Sequence, residues 1–269
     1  MRLSSLSLIV LAVLGLASLA AAQDEPRTPQ GLYERGMNLI TGTGPNRSDV
    51  EAVDYFRKSA DAGYAPAQTV MGYLYETGTV VPADPQAAAS WYEKSGTQGD
   101  RIAQWVLGRM YLTGNGVAVR DRSRAMNWLR PAAKAGDPFA ALLLGEAEEE
   151  VAPQPAVPWY RKAAEQGLPE AQFRLGKLLA SGRVGIPAKY DAYVWLMVAF
   201  ENGVASAADD AKSLEAQLGS VKVEQGKIDA RNLRNESRRS VVANGCTGWP
   251  GELDAQPSTP PIKTQPLCR

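Results

Sequence analysis

The sequence predicts an all-α fold: a right-handed α-solenoid of about five helix pairs, with C-terminal capping helices and an irregular tail. Two observations carry this. The stretch WYRKAAEQGLPEAQFRLGKLLASG at 159–182 favours helix almost throughout, yet Gly167, Gly176 and Gly182 interrupt it. A glycine inside a helix costs about 1 kcal/mol relative to alanine. The same arrangement recurs at 55–78 and 91–114, with Gly63, Gly99, Gly136, Gly167 and Gly203 in register at spacings of 36, 37, 31 and 36 residues. A fixed period in this range marks stacked helical repeats.

The chain begins MRLSSLSLIVLAVLGLASLAAAQDEP. Arg2 gives a positive start, residues 6–19 an apolar run, and Ala20-Ala21-Ala22 an A-x-A site, so 1–22 reads as a cleaved signal peptide. The run is short and ends in small residues, which speaks against an uncleaved anchor; no cysteine follows it, which speaks against a lipoprotein. Gln23 is the expected first residue of an exported, periplasmic or secreted protein with no membrane span after signal cleavage.

Within one unit, 159–166 ends a helix and Gly167 stands where a left-handed C-cap is needed. Pro169 opens the next helix, in the first turn where its missing N–H has no partner to lose. Ala171, Leu175, Leu178 and Leu179 form the core face. Gly176 lies on that face in mid-helix and is expected to let the neighbouring helix approach, as are Gly72, Gly108 and Gly145; Gly182 closes the helix. The segment GLYERGMNLITG at 31–42 carries Gly36 and Gly42 in the same register and supplies the first helix of the first pair. Repeating tryptophans, Trp91, Trp128, Trp159 and Trp195, are expected in the core.

This pattern resembles the Sel1-like repeat, a relative of the tetratricopeptide repeat. Ala52, Tyr55, Lys58, Gly63, Ala67, Gln68, Gly72, Tyr75 and Gly78 carry it, and Trp91, Lys94, Gly99, Ala103, Gln104, Gly108, Tyr111 and Gly114 carry it again. Gly114-Asn115-Gly116-Val117 matches the family's G-x-G-V turn. The third copy departs from the pattern: Ala141 replaces glutamine, Val151 replaces glycine, and VAPQPAVP reads as a short proline-rich loop where a local irregularity is expected. The repeats are assigned to residues 23–204.

Residues 205–240 read as two capping helices broken near Gly219-Ser220, with Ala207, Ala211, Leu214 and Leu218 at helical spacing; terminal repeats need such a cover. Arg231, Arg234, Arg238 and Arg239 form either an anion site or a solvated helix end favoured by the dipole. Residues 241–269 read as proline-rich tail. Its cysteines, Cys246 and Cys268, suit an intramolecular disulfide in an oxidising compartment, with intermolecular or unpaired thiols as alternatives.

Chemistry finds little support. The 269 residues include no histidine, which removes Ser-His-Asp, Cys-His and HExxH arrangements. Lys plus Arg equals Asp plus Glu at 29 each, so charge gives no sign of nucleic acid. The resemblance raises β-lactam binding, but no Ser-x-x-Lys occurs; Ser220 in Ser220-Val221-Lys222 fits a helix start. Gly42-Thr43-Gly44 lacks the rest of a phosphate loop. Glu146, Glu148, Glu149 and Glu150 fall on consecutive helical positions and point apart, unlike a calcium site. No catalytic residue, metal or cofactor is assigned.

Function therefore falls to a surface. In stacked pairs the first helix lines the concave face, and its positions outside the repeat's core are Val70, Tyr73, Glu76; Val106, Arg109, Leu112; Leu143, Glu146, Glu149; and Arg174, Lys177, Ala180. The row is either a groove for a protein or peptide partner or an intramolecular ladder of ion pairs, each worth less than about 1 kcal/mol. The resemblance implies adaptor roles in the cell envelope, such as restraining a membrane sensor or tuning exopolysaccharide production. Accessory work on cell-wall glycan would need paired carboxylates facing a pocket; binding of a host partner is a further alternative.

Overall fold

The computed structural model describes residues 28–42 and 48–243, with side chains through Ser237. Among these residues the fold is an all-α solenoid of helix pairs, with twelve helices and no strand. Five pairs come first: α1 (Pro29–Thr41) with α2 (Asp49–Asp61), α3 (Ala65–Thr77) with α4 (Pro85–Thr97), α5 (Arg101–Thr113) with α6 (Arg122–Lys134), α7 (Pro138–Glu149) with α8 (Pro153–Glu165), and α9 (Pro169–Ala180) with α10 (Lys189–Glu201). Then α11 (Ala207–Leu218) and α12 (Ser220–Ala243) follow, breaking at Gly219 as expected. Val241 and Val242 extend α12 past the residue where tail was expected, since no helix breaker precedes Asn244-Gly245. The proposed signal peptide, Gly44, Cys246 and Cys268 lie outside the described residues.

The chain divides into two compact units, residues 1–71 and 72–269, with the division inside α3. In the first, a Cβ on Gly36 would come within 2.7 Å of the Phe56 ring, so α1 and α2 touch through that glycine. Tyr33 packs on Phe56 and on Tyr64, at 5.7 and 5.4 Å between centroids.

In the second unit the same contact repeats. Gly72 meets Tyr92, Gly108 meets Leu129, Gly145 meets Tyr160 and Gly176 meets Leu196. The glycines that end second helices, Gly63, Gly99, Gly136, Gly167 and Gly203, all take φ between 87° and 104°, the left-handed region that only glycine enters freely. Asp84, Asp100, Asp121 and Asp137 each cap the following helix by accepting from the N–H three residues on, which satisfies a donor the helix leaves orphaned.

Two expectations need correction. VAPQPAVP is not a loop: only Glu150, Val151 and Ala152 connect α7 to α8, and Pro153 takes the first helical position. Pro153 and Pro155 sit where N–H groups have no intrahelical partner. Pro158 gives up one helical bond, to the exposed Gln154. The shorter connection accounts for the spacing of 31, while the Gly145–Tyr160 contact stays like its counterparts. Of the four tryptophans only Trp195 is buried. Trp91, Trp128 and Trp159 are half-buried, and Lys94 lies 3.9 Å over the Trp91 ring. The residue facing the packing glycine is the next one along, so Tyr92, Leu129, Tyr160 and Leu196 fill the core instead.

The missing glutamine of the third copy has a visible substitute. Gln68, Gln104 and Gln172 donate to the carbonyls of Ala60, Gly96 and Ala164, eight residues earlier, at 3.1, 3.0 and 3.1 Å. At Ala141 the equivalent acceptor is the Ala133 carbonyl, and Lys162 reaches it from the next helix pair member at 2.7 Å. Replacing Lys162 with methionine is expected to cost about 1 kcal/mol by removing this bond and leaving the carbonyl with the Gly136 N–H at 3.1 Å. Adding Ala141→Gln to the same chain should recover most of the loss, read as urea midpoints.

A candidate partner-binding face on the first helices

At about 100° per residue, positions four after, one after and two before the packing glycine lie about 40°, 100° and 160° around the helix from the pair contact. They define one face of α3, α5, α7 and α9. The expectation that the repeat leaves all of them out of its core fails for three. Val70 and Tyr73 are 9% exposed and Val106 4%. Val70 belongs to the first unit and the rest of the row to the second. The face of α5 also packs on α7, which draws Val106 inward, and Leu112 and Leu143 are half-buried against the core. Tyr73 joins Ala88, Tyr92, Val106, Leu107 and Met110.

The charged positions stay at the surface and find one another. Arg109 pairs with Glu76, and its guanidinium carbon stands 5.5 Å from the Trp105 ring. Arg174 bonds Glu170 at 2.7 Å and approaches Glu146 at 3.2 Å. Lys177 reaches Asp210 at 3.9 Å and lies over Phe173. The ladder of ion pairs therefore exists. It leaves its cations accessible, with the side chains of Arg109, Arg174 and Lys177 exposed to 42, 43 and 56%.

Tyrosines of the second helices complete the network and escaped the sequence reading. Tyr92 donates to Glu76 at 2.9 Å and Tyr160 to Glu149 at 2.8 Å, where Arg183 also binds at 2.6 Å. Burial, and then the glutamates themselves, raise both phenol pKa values, so both rings remain donors. The signal was present in pairs of positions. Where tyrosine faces the packing glycine, glutamate stands four residues after that glycine, as in Glu76 with Tyr92 and Glu149 with Tyr160. Where the facing residue is Phe56, Leu129 or Leu196, the partner is Ile40, Leu112 or Ala180. Glu146 has its pKa raised by burial, with Arg174 opposing.

The four glutamates at the end of α7 do point apart, each toward a different arginine: Glu146 to Arg174, Glu148 to Arg130, Glu149 to Arg183 and Glu150 to Arg122. Among the described residues no group of three or more Asp, Glu, Cys or His side chains is placed to hold a metal. Of the basic cluster on α12, Arg234 bonds Asn202 at 3.1 Å and Arg231 is exposed; the side chains of Arg238 and Arg239 are outside the described set. An open cleft of about 560 Å³ lies elsewhere, between α4 and the loop before α6, lined by Tyr111, Val117 and Val119 among others. Its Asp121 is committed to the α6 N-terminus and to Arg124 at 3.3 Å. No described helix is long and apolar enough to cross a membrane.

Comparison with known proteins places these features in context. The family model of the Sel1 repeat matches residues 29–64, 65–100, 101–137, 153–168 and 169–196. It passes over α7, the helix that lacks the repeat's glutamine. A protective antigen of uropathogenic Escherichia coli strains, displaying an SLR fold, superposes with a TM-score of 0.72 at 26% identity, over 89% of this chain and 52% of that one. A Sel1 repeat protein from Oxalobacter formigenes gives 0.63 at 28% identity, over 82% and 93%. A 66-residue stretch is 44% identical to an uncharacterized protein of Neisseria meningitidis serogroup B, covering 24% of this chain and 14% of that protein. The chain thus spans about half the length of the Escherichia coli antigen and a small part of the Neisseria protein.

Proposed function

Because the chain belongs to the Sel1 repeat family, whose members are generally protein–protein interaction scaffolds, we propose that it is a non-enzymatic scaffold or regulator exported to the cell envelope. The observation that carries the binding role is the set of half-exposed cations on two first helices, Arg109 on α5 and Arg174 and Lys177 on α9, beside the aromatic rings of Trp105 and Phe173. Arginine and aromatic side chains are the groups in which interface energy concentrates. The leader-like segment at 1–22 supports export, and control of a membrane sensor or of exopolysaccharide production suits an exported adaptor.

Two measurements test this. Protein from the extracytoplasmic fraction should have an intact mass that starts at Gln23; a retained Met1 there overturns the cleavage. A site-specific photocrosslinker at Lys177 should trap an envelope protein. That adduct should fall about tenfold when Arg109→Glu is combined with Arg174→Glu, with helix content unchanged. An adduct indifferent to these changes, or lost only with Arg231→Glu on α12, removes the first-helix face from the function.

A further inference from the structure

One buried donor on this face has no acceptor. The Tyr73 hydroxyl is shielded from solvent and has no partner within hydrogen-bond geometry, the Thr77 hydroxyl near it being turned elsewhere. The nearby Thr77 hydroxyl donates instead to the Tyr73 carbonyl at 2.9 Å and lies 2.7 Å from that of Thr79. One turn along α3 stands Glu76, which couples to Tyr73 electrostatically. Both of its oxygens are engaged, Oε1 by Arg109 and Oε2 by Tyr92. This corner therefore gathers two phenols and a guanidinium around one carboxylate. Arg109 and Tyr92 hold the carboxylate in place, and of the two phenols Tyr73 alone lacks an acceptor.

We infer that Arg109 takes a carboxylate from the partner, with Tyr73 as the group that makes the exchange favourable; this rests on the proposal that the face binds a protein. When Arg109 turns its fork to an incoming carboxylate, a pairing that guanidinium geometry favours, Oε1 of Glu76 is released. Residues 73 and 76 are helix neighbours, so the Tyr73 hydroxyl can then donate to Oε1 while Tyr92 keeps Oε2. Before the exchange the Tyr73 hydroxyl is unpaired; afterwards it has an acceptor in Glu76. The Trp105 ring, 5.5 Å from the guanidinium carbon, offers the cation a neighbouring aromatic surface. An amine ligand would have to compete with Arg109 and Tyr92 for the single carboxylate of the corner, Glu76. The carboxylate belongs either to an Asp or Glu side chain or to a chain terminus.

Two blocked peptides separate those sources: acetyl-Ala-Ala-Asp-Ala-Ala-amide, with a side-chain carboxylate only, and acetyl-tetraalanine with a free terminus. The asparagine version of the first is the control. Each is titrated into the full chain while the Arg109 Nε–H and Trp105 indole resonances are followed by NMR. Saturable shifts are expected with at least one carboxylate peptide and none with the control. Arg109→Gln should abolish them. Tyr73→Phe, which keeps the ring, should weaken binding about threefold. Glu76→Gln should tighten it and remove the dependence on Tyr73, a result that simple contact between Tyr73 and ligand would not produce. Equal shifts with the asparagine control, no shifts with any peptide, or a Tyr73→Phe effect that persists in Glu76→Gln overturns the inference. If the crosslinked partner still requires Arg109 while the peptides leave it unmoved, the carboxylate inference falls and the binding face stands. Peptide binding with a partner indifferent to Arg109 leaves the carboxylate site and removes the face from the function.

Discussion

Replacing Gly176 with leucine is expected to lower the stability of the second unit by more than about 3 kcal/mol. A Cβ there would lie 2.7 Å from Leu196 Cγ and 3.1 Å from the carbonyl oxygen of Ala192. Leu196 can change rotamer, but a backbone oxygen in the first turn of α10 cannot move without moving the helix. Overpacking of this kind costs about 1–3 kcal/mol for small additions, against a propensity gain of about 1 kcal/mol from losing a helical glycine. Alanine should therefore be mildly destabilising and leucine severely so. Lys177→Leu, at the exposed neighbouring position, should change the urea midpoint by no more than about 0.5 kcal/mol equivalent. Equal losses at 176 and 177 would show that α9 and α10 do not meet through the glycine. Pairing Gly176→Ala with Leu196→Ala should give less than the sum of the two, because the second change makes room for the first.

A pH-dependent loss of stability is expected at Asp137. Burial raises its carboxyl pKa to about 6, outweighing the bonds from the Ala140 and Phe139 N–H groups and the attraction of Arg101, while Asp100 adds to the rise. The folded chain then holds this proton more tightly than the unfolded chain, whose carboxyl titrates near 4. The favourable contribution is complete below pH 4 and declines as the pH rises to about 6. A shift of this size corresponds to about 3 kcal/mol, and partial solvent contact reduces it to roughly half. Asparagine keeps an oxygen to accept from Ala140 without the charge. Asp137→Asn should match the parent protein near pH 4 and exceed its stability by about 1.5 kcal/mol above pH 7. A difference that does not change between those pH values contradicts the assignment. A parent protein more stable than the variant at pH 7 would mean that the helix N-terminus, which favours the anion, wins over burial.

The third repeat shows how far local pattern reaches. Ala141 and Val151 mark a departure, and the spacing of 31 locates it. PQPAVP, the last six residues of VAPQPAVP, nevertheless folds as the first turns of α8, because prolines are as compatible with a helix start as with a loop. Only the packing of Tyr160 on Gly145 decides between them. The use of Lys162 to satisfy the Ala133 carbonyl has no local signature either, since the two residues are 29 positions apart.

The candidate face divides in the same way. Its charged positions were legible because they interrupt an otherwise apolar repeat at fixed offsets from the packing glycines. That Tyr73 and Val106 are buried was not, since their exposure depends on how closely one first helix lies against its neighbours. The association of tyrosine opposite the glycine with glutamate one turn later could have been read from the repeats, because it recurs within this single chain.

What the sequence by itself determined is the helix pairs, their ends and their contact points. A left-handed cap admits glycine far more readily than any other residue, a close helix crossing leaves no room for a Cβ, and both requirements repeat with the period. What only the tertiary structure decided is which polar groups satisfy one another. Glu76 with Tyr92 and Arg109, Lys162 with the Ala133 carbonyl, and Tyr73 with no partner are outcomes of distances between helices. Such distances are set by the summed packing of many side chains, and no single position in the sequence specifies them.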